Sequence, residues 1–490
     1  MQFAPTRKYN ETGQTGESYA SIMAYCLPEL ITAFLLTSLI TIVDAAFIGH
    51  LRSTSLFAAQ GIVNNFMHFL IKIAEGMCVG TVIVCGQFNG SHDIRSLGRA
   101  LVSSVLITIA VGAFLACSFF FASPFVFNFY GVTPKIAAYG TVLLRLRSVS
   151  IFFAFIYFAI IGFFRGIKNT RLPMMIYIFG ACIFIFFDYV LIFGKCGFPA
   201  LGLRGSAIAS IIQYMVMLST ALCVLLFDKT YKNYVMHAWH SWDIELSKLV
   251  FSYSWPIMID KAVLAAAKIW LAWLLVPMGK VVMASFSIIK DIEMIAFVPA
   301  IASAQVITFL ASNNRGANDW SALLVNIRRV MLCTSLMVGS ILLMICLFPE
   351  TVIHWFDKKG ACILLASAAL PSISLFVFFD VIQLVLSGAL RGASYVKTVM
   401  WTRLLVCTGV FAPLSYTISM LPIESLLVKF VGIYSSFYVS NGIMSLIYMI
   451  QLKRYSASHT KTSLLMKGTH ESDYQPGINK TRSDFPNHRP

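Results

Sequence analysis

The stretch GSHD at residues 90–93 recurs as GAND at residues 316–319, and FRG at 164–166 recurs as LRG at 390–392. In both cases the second copy follows the first by the same 226 positions. A shared offset at two distant places indicates a duplicated unit. The sequence therefore predicts two related halves.

The chain is far more apolar than a soluble protein. Of its 490 residues, 58% are hydrophobic and 12% are charged, and its mean hydropathy is +0.79. A soluble domain carries about 25% charged residues, so this chain cannot cover its surface with polar groups. Its apolar residues fall into about twelve stretches that are long enough to cross a bilayer. The predicted spans are 22–48, 57–86, 100–129, 137–163, 173–194, 205–227, 248–276, 281–311, 329–348, 363–388, 399–420 and 425–451.

The net charge of +16 first suggests a nucleic-acid partner. The basic residues, however, alternate between loops, with many at 165–171, 328–329 and 453–489 and few in the intervening loops. Lys and Arg concentrate in cytoplasmic loops of membrane proteins. We therefore expect no nucleic-acid partner, and a multi-pass protein of the plasma (inner) membrane with both termini in the cytosol. The first apolar run is too long for a signal peptide, so we expect it to be retained.

The predicted fold is an all-α integral membrane protein of about twelve transmembrane helices in two six-helix lobes. An even number of spans makes both copies enter the bilayer from the same side, so the lobes should be related by a pseudo-twofold axis along the membrane normal. We expect a monomer. The predicted segments are a cytosolic N-terminal tail at 1–20, an N-lobe at 21–228, a cytosolic linker at 229–245, a C-lobe at 246–452 and a disordered cytosolic tail at 453–490.

Several motifs together resemble the MATE (multidrug and toxic compound extrusion) family. They are FRGIKNTRLP at 164–173, LGLRGSA at 201–207, VD at 43–44 with GHL at 49–51, and GALRG at 388–392. The resemblance covers about residues 21–451. It implies a V-shaped, alternating-access antiporter that exchanges protons or sodium for organic compounds. The basic residues of these motifs, Arg165 and Arg391 among them, are also explained as anchors on the cytosolic side.

Three polar side chains of the N-lobe are predicted to lie at one depth. Asp44, Asp188 and Ser210 each lie about 8–10 Å from the outer end of their span at about 1.5 Å per residue. A carboxylate within a span costs about 2.5–3.5 kcal/mol, so we expect these acids to be paired or functional. The resemblance implies that Asp44 and Asp188 bind the coupling ion and that Ser210 replaces a frequent Thr. The Asn that it implies before the second acid is Phe184 here, and losing this oxygen ligand favours protons over sodium.

In the C-lobe, Asp380 lies eleven residues before Arg391 and therefore near the midplane. The stretch FDVIQ at 379–383 resembles a family signature in which this Asp serves cation coupling, and we assign Gln383 to the substrate cavity. The Glu that the resemblance implies in the seventh span is Leu264 here. We therefore predict an incomplete C-lobe site.

Spans seven and eight carry an unusual number of charges. Charges inside spans normally face a cavity or each other, so two interpretations stay open: a salt-bridge network joining spans seven, eight and ten, or a polar substrate surface. The candidate cavity residues are Asp260, Lys261, Lys268, Lys290, Asp291 and Glu293.

Two further charged pairs are predicted to be structural. Lys72 and Glu75, three residues apart on one span, should pair. Arg145 and Arg147 should extend outward along their span toward the membrane surface.

The leading hypothesis is a secondary active antiporter that exports organic cations or drug-like amphiphiles in exchange for H+ or Na+. The alternative is a flippase for lipid- or glycan-linked substrates, for which Lys261, Lys268 and Lys290 would line a basic groove. A channel or receptor fits the repeat less well. Because the chain has no Gly-rich phosphate loop, nucleophile elbow or metal-spaced His set, we expect no enzyme activity, no cofactor and no metal. The expected partners are the coupling ion, a small organic substrate and membrane lipids.

Overall fold

The computed structural model describes residues 16–51, 53–129, 131–236, 243–356 and 363–472, and the regular structure in these ranges is helical. The helices are α1 (Tyr19–Phe34), α2 (Ile40–Gly49), α3 (Thr54–Gly90), α4 (Ile94–Phe129), α5 (Pro134–Gly166), α6 (Arg171–Phe193), α7 (Leu203–Phe227), α8 (Lys229–Met236), α9 (Ile244–Leu275), α10 (Lys280–Gly316), α11 (Trp320–Leu347), α12 (Pro349–Phe356), α13 (Ile363–Gly392), α14 (Val396–Val406), α15 (Ala412–Met420) and α16 (Leu426–Ser472).

Twelve spans emerge from these helices. Ten segments of the described chain are long and apolar enough to cross a membrane, and one of these is α14 and α15 joined by a π-helical turn at Cys407–Phe411. The other two are α1 with α2, joined by a π-helical turn at Leu35–Leu39, and α9, which carries the charges noted above. Each predicted apolar stretch lies on one of these spans. The chain is therefore an all-α, multi-pass membrane protein.

The structure differs from the prediction between and after the spans. The predicted linker contains the short helix α8, while residues 237–242 lie outside the described part. The chain divides into two compact units after Tyr448, and the second unit continues α16 as a helix to Ser472. Residues 453–472 of the predicted disordered tail are thus helical, since extending an existing helix by one residue is far easier than starting one. The predicted ends at 1–15 and 473–490 lie outside the described residues.

The duplicated motif builds the same turn twice. His92 and Asn318 both adopt the left-handed region, with φ of 60° and 55°. The following Asp93 and Asp319 each accept a hydrogen bond from the backbone N–H three residues further on, at 3.0 and 2.9 Å, and so cap α4 and α11. Hydrogen bonds from the hydroxyl and backbone of Ser96 hold the pKa of Asp93 below its usual range.

The glycines of the same motif join the two halves. Gly90 packs on the backbone carbonyl of Asn313, and Gly316 packs on the backbone carbonyl of Gln87, so closely that neither site has room for a Cβ atom. Both glycines and both carbonyls are related by the 226-position offset. The contact between α3 and α10 is therefore self-complementary, as in a twofold-symmetric dimer.

The approximate symmetry axis passes close to Gly86 and Ser312, which are also 226 positions apart and face each other directly. Residues on a twofold axis meet their own equivalents. Side-chain bonds strengthen this contact, because Asn89 donates to the Asn313 side chain at 2.6 Å and Asn313 donates to the Gly166 carbonyl at 2.8 Å. The first half of the chain thus packs against the second through the ends of α3 and α10.

Adding one methyl group at this crossing should destabilise the protein. We expect Gly90→Ala to lower the free energy of unfolding by about 1–3 kcal/mol, because the crowded helix crossing must shift. The matched control is Gly61→Ala on the same helix, where a Cβ atom meets nothing within 4 Å. This control should leave Tm unchanged or raise it, since Ala is the better helix former. Thermal unfolding in detergent is the measurement, and equal Tm values for the two variants would contradict the packing argument.

Candidate functional site

Polar residues from four helices meet around Asp44 in the first half. Asp44, on α2, is only 4% exposed. Its carboxylate accepts hydrogen bonds from the Gln60 amide at 2.9 Å, the Ser206 hydroxyl at 2.6 Å and the Arg147 guanidinium at 2.8 Å. These partners come from α3, α7 and α5. Asp44 is therefore a buried and fully paired acid.

Arg147 lies at the centre of this cluster. It also donates to the Asn64 side-chain oxygen at 2.6 Å and to the Ser206 hydroxyl at 2.9 Å. The prediction that Arg147 extends to the membrane surface is wrong, because the buried Asp44 carboxylate requires a charged partner and holds it inside. Arg145 differs: it donates to the Ser123 hydroxyl at 3.1 Å, away from Asp44.

Asp188, on α6, has the opposite environment from Asp44. Its side chain is fully buried, and neither carboxylate oxygen has a hydrogen-bond partner among the described residues. Asp44 and Arg147 are the charged groups close enough to act on it electrostatically, and the Ser206 hydroxyl, which donates to Asp44, also lies near it. A buried carboxylate without partners is strongly disfavoured as an anion. This environment therefore suits a neutral acid, or an anion whose charge is balanced by a bound cation.

Ser210 is not among the groups that contact the acids. Its hydroxyl donates to the Ser206 backbone carbonyl at 3.1 Å, a local bond that serines in helices commonly form. Ser206, one turn earlier, supplies the hydroxyl that binds Asp44. Phe184 is buried and apolar. The sequence analysis did not assign Ser206, Gln60 or Asn64 to this cluster, and it placed Arg147 at the membrane surface. All four could have been noticed as polar side chains within otherwise apolar spans.

In the second half, Asp260 forms a buried ion-pair triad. Its carboxylate binds Arg391 of α13 at 2.5 Å and also binds Arg403 of α14. Arg165, the equivalent of Arg391 in the first half, binds Glu29 of α1 through two hydrogen bonds of 2.8 and 2.7 Å. Asp260 is therefore not on a cavity surface as predicted, because two guanidinium groups neutralise and enclose it. The network joins α9 to α13 and α14 without reaching α10.

Lys261 connects the two halves. Its ammonium lies 3.0 Å from one oxygen of Glu75 on α3, and the Lys72 ammonium lies 2.7 Å from the other. The predicted Lys72–Glu75 pair is thus confirmed. The charge of Lys261 is balanced by an acid of the first half, a partner that the sequence did not indicate.

Glu293, on α10, is buried between two tyrosines. Its carboxylate accepts a hydrogen bond from the Tyr438 hydroxyl at 2.7 Å and another from the Tyr434 hydroxyl. The second carboxylate oxygen has no partner among the described residues. Glu293 therefore keeps one oxygen available inside the protein.

Asp380, on α13, lies close to Glu293. Asn441 donates to Asp380 at 3.1 Å, and the exposed side chain of Lys268 is close enough to act electrostatically on both acids. The seventh span has Leu264 where an acid was expected, but Glu293 of α10 brings a second carboxylate to Asp380. We call Asp380 and Glu293 the C-half acid pair.

The remaining predicted cavity residues are Lys290, Asp291 and Gln383. Lys290 and Asp291 are half-exposed and 3.5 Å apart, and Lys290 lies three residues before Glu293, on the same side of α10. Gln383 is buried, and its amide nitrogen has no partner among the described residues. Lys290 is close enough to Lys268 to act on it electrostatically, while Asp291 pairs with Lys290.

Comparison with known proteins agrees with this architecture. The family model described as MatE matches residues 30–190 and again residues 256–417, and the two matches begin 226 positions apart. The offset is the one that separates the repeated motifs. Because the matches cover about two thirds of the sequence, the chain belongs to the MatE family.

Two curated bacterial relatives are similar over most of their length. The probable multidrug resistance protein NorM of Thermotoga maritima is 25% identical over 396 residues, which cover 80% of this chain and 84% of that protein. The probable multidrug resistance protein YoeA of Bacillus subtilis is 24% identical over 429 residues, which cover 85% and 91%.

Solved structures share the fold. A MOP superfamily transporter from Pyrococcus furiosus, described as having a binding pocket of reverse polarity, has a TM-score of 0.81 at 16% identity, covering 91% of this chain and 97% of its own. An outward-facing multidrug resistance MATE family transporter has a TM-score of 0.82 at 17% identity, covering 91% and 98%. The two-lobe fold of these transporters is thus the fold of this chain.

Neutralising Asp260 should be strongly destabilising. Asp260→Asn leaves two buried guanidinium groups without their anion, and removing one partner of a buried ion pair costs about 3–5 kcal/mol. The matched control is Asp291→Asn, which disrupts an exposed pair and should change stability by less than about 1 kcal/mol. Tm and the yield of monodisperse protein in detergent are the measurements. Equal losses in both variants would show that the triad does not stabilise the fold.

Proposed function

We propose that the chain is a secondary active antiporter that exports organic cations or drug-like amphiphiles in exchange for protons by alternating access. It would act as a monomer in the plasma (inner) membrane with both termini in the cytosol. Membership of the MatE family supports transport, and the multidrug resistance names of the NorM and YoeA relatives support a drug-like substrate.

The observation that carries proton coupling is the environment of Asp188. Its carboxyl group is fully buried and without a hydrogen-bond partner among the described residues, while the nearby Asp44 is already paired. As a neutral acid, Asp188 is compatible with burial. As an anion, it attracts a positive charge, and the membrane potential contributes about 2.3 kcal/mol per charge for each 100 mV. A group that alternates between these states can exchange a proton for a cationic substrate.

The alternative coupling ion, sodium, has less support. Sodium prefers several oxygen ligands, by analogy with other hard cations. Phe184, one turn before Asp188, is an apolar side chain, and Ser210 directs its hydroxyl to the backbone. The apolar Phe184 therefore offers sodium no oxygen ligand at its position.

The C-half acid pair is the proposed second site. Asp380 and Glu293 present carboxylates from α13 and α10, and we assign them to coupling-ion or cationic-substrate binding. The flippase alternative required a basic groove of three lysines. Lys261 is balanced by Glu75 and Lys290 by Asp291, which leaves Lys268. This charge balance favours a cationic over a phosphate-bearing substrate.

Asp188→Asn should abolish proton exchange, because an amide side chain cannot take up and release a proton near neutral pH. In proteoliposomes with an imposed pH gradient, we expect ethidium flux and the accompanying pH change to fall at least tenfold. Wild-type protein should show both signals, and a sodium gradient at constant pH should drive neither. The matched control is Asp228→Asn, since Asp228 lies outside the spans and caps α8 through the Thr230 backbone N–H at 2.8 Å.

Three results would contradict the proposal. Wild-type rates in Asp188→Asn would exclude Asp188 as the proton carrier. Ethidium flux driven by sodium at constant pH would exclude proton coupling. Absence of ethidium flux together with rapid flipping of a fluorescent phospholipid in wild-type protein would favour the flippase.

A further inference from the structure

The cluster around Asp44 already contains a cation that belongs to the protein. The Arg147 guanidinium is bound by a carboxylate oxygen of Asp44 at 2.8 Å, an amide oxygen of Asn64 at 2.6 Å and the Ser206 hydroxyl at 2.9 Å. Carboxylate, amide and hydroxyl oxygens are the ligands that a hard metal cation would take in a protein. Arg147 therefore occupies the oxygen ligands that a sodium ion would need.

The cluster also contains complementary groups that remain unpaired. The Nε–H of Arg147 is buried and has no acceptor among the described residues. Both oxygens of Asp188 are buried and have no donor there. Arg147 and Asp188 are close enough to interact electrostatically. A spare donor on a cation and a spare acceptor on an acid thus lie within one cluster, ready to pair if the acid is charged.

We propose that Arg147 is a tethered cation that determines which ion couples to transport: it takes the place of sodium beside Asp44 and leaves a proton on Asp188 as the exchangeable charge. This inference rests on the proposed antiport function and specifies its coupling ion. Arg147 is a specificity-determining residue in this scheme, because it contacts Asp44 permanently and Asp188 only in one charge state.

The charges of the cluster define its two states. Among the helices packed against α6, α2 contributes Asp44, α5 contributes Arg147 and α7 contributes the uncharged Ser206, while the acid of α1, Glu29, is already paired with Arg165. With Asp188 protonated, Asp44 and Arg147 balance each other and the cluster is neutral. When the proton leaves for the solvent, the new Asp188 anion attracts the Nε–H of Arg147, which then bridges both acids. Proton release is thereby linked to a new contact between α5 and α6.

The test replaces the guanidinium by a shorter, neutral and polar side chain. Arg147→Gln frees the oxygens of Asp44, Asn64 and Ser206, and we expect sodium to bind there. At constant pH and ionic strength, replacing KCl by NaCl should raise the Tm of Arg147→Gln by several degrees and leave wild-type Tm unchanged. Ethidium flux by Arg147→Gln should lose its proton dependence at least tenfold and become dependent on a sodium gradient.

Two further variants separate this role from simple packing. Arg145→Gln removes a guanidinium two residues away on the same helix, where its partner is Ser123, and should stay insensitive to sodium. Arg147→Lys retains a positive charge and should also stay insensitive to sodium in the Tm measurement, even if its flux is slower. A packing role alone would not make the sodium response follow the charge at position 147.

Two results would overturn the inference about Arg147. Stabilisation of wild-type protein by NaCl over KCl would show that sodium binds although Arg147 is present, and this measurement does not depend on any variant. A folded Arg147→Gln variant that keeps proton-driven flux and shows no sodium response would also overturn it. If wild-type protein transports no ethidium at all, the antiport proposal fails separately, because the Tm comparison measures ion binding without transport.

Discussion

The structure depends on one constraint: a charge inside a membrane span must be neutralised by another side chain of the protein. Four buried or half-buried acids meet it by pairing, namely Asp44 with Arg147, Glu29 with Arg165, Asp260 with Arg391 and Arg403, and Glu75 with Lys261 and Lys72. Each of these acids is paired with at least one basic residue from a helix that is distant in sequence. Asp188 differs, since it is fully buried with neither oxygen bonded within the described chain. The groups that hold the fold together and the group proposed to carry the proton are therefore distinguished by whether their charge is balanced.

The internal repeat is strongest where the chain turns and weakest within the spans. His92 and Asn318 adopt the same left-handed backbone, and so do Lys168 and Ser394, with each pair 226 positions apart. The arginines of the second motif both bind an acid on the first span of their own half. The acids beside Asp188 and beside Asp380 have no such equivalence. The two halves therefore share the backbone conformation of their turns, but they carry different polar groups inside their helical bundles.

Helix α5 links the structural and the proposed functional parts of the first half. Arg165 at its end binds Glu29, and Arg147, eighteen residues earlier, binds Asp44. At about 1.5 Å per residue the two arginines are about 27 Å apart along one helix. In the proposed cycle, a change of charge at Asp188 on α6 acts on Arg147 and so reaches the helix whose other end is held by Glu29.

The sequence by itself determined the twelve spans, the duplication and the two buried acids of the first half, because hydrophobic length, a fixed offset and a charge within an apolar run are all properties of the linear chain. The helical rise also predicts a common depth for Asp44 and Asp188. Only the tertiary structure decided which side chains contact each other. In the first half, Ser206 and not Ser210 donates to Asp44, and Arg147 turns inward to bind the same acid. In the second half, Arg391 and Arg403 bind Asp260, and Lys261 binds Glu75 of the first half. Periodicity fixes the face and the height of a side chain on its own helix. It does not fix how neighbouring helices are rotated and packed, and that rotation decides which charges meet and that Asp188 is left unpaired.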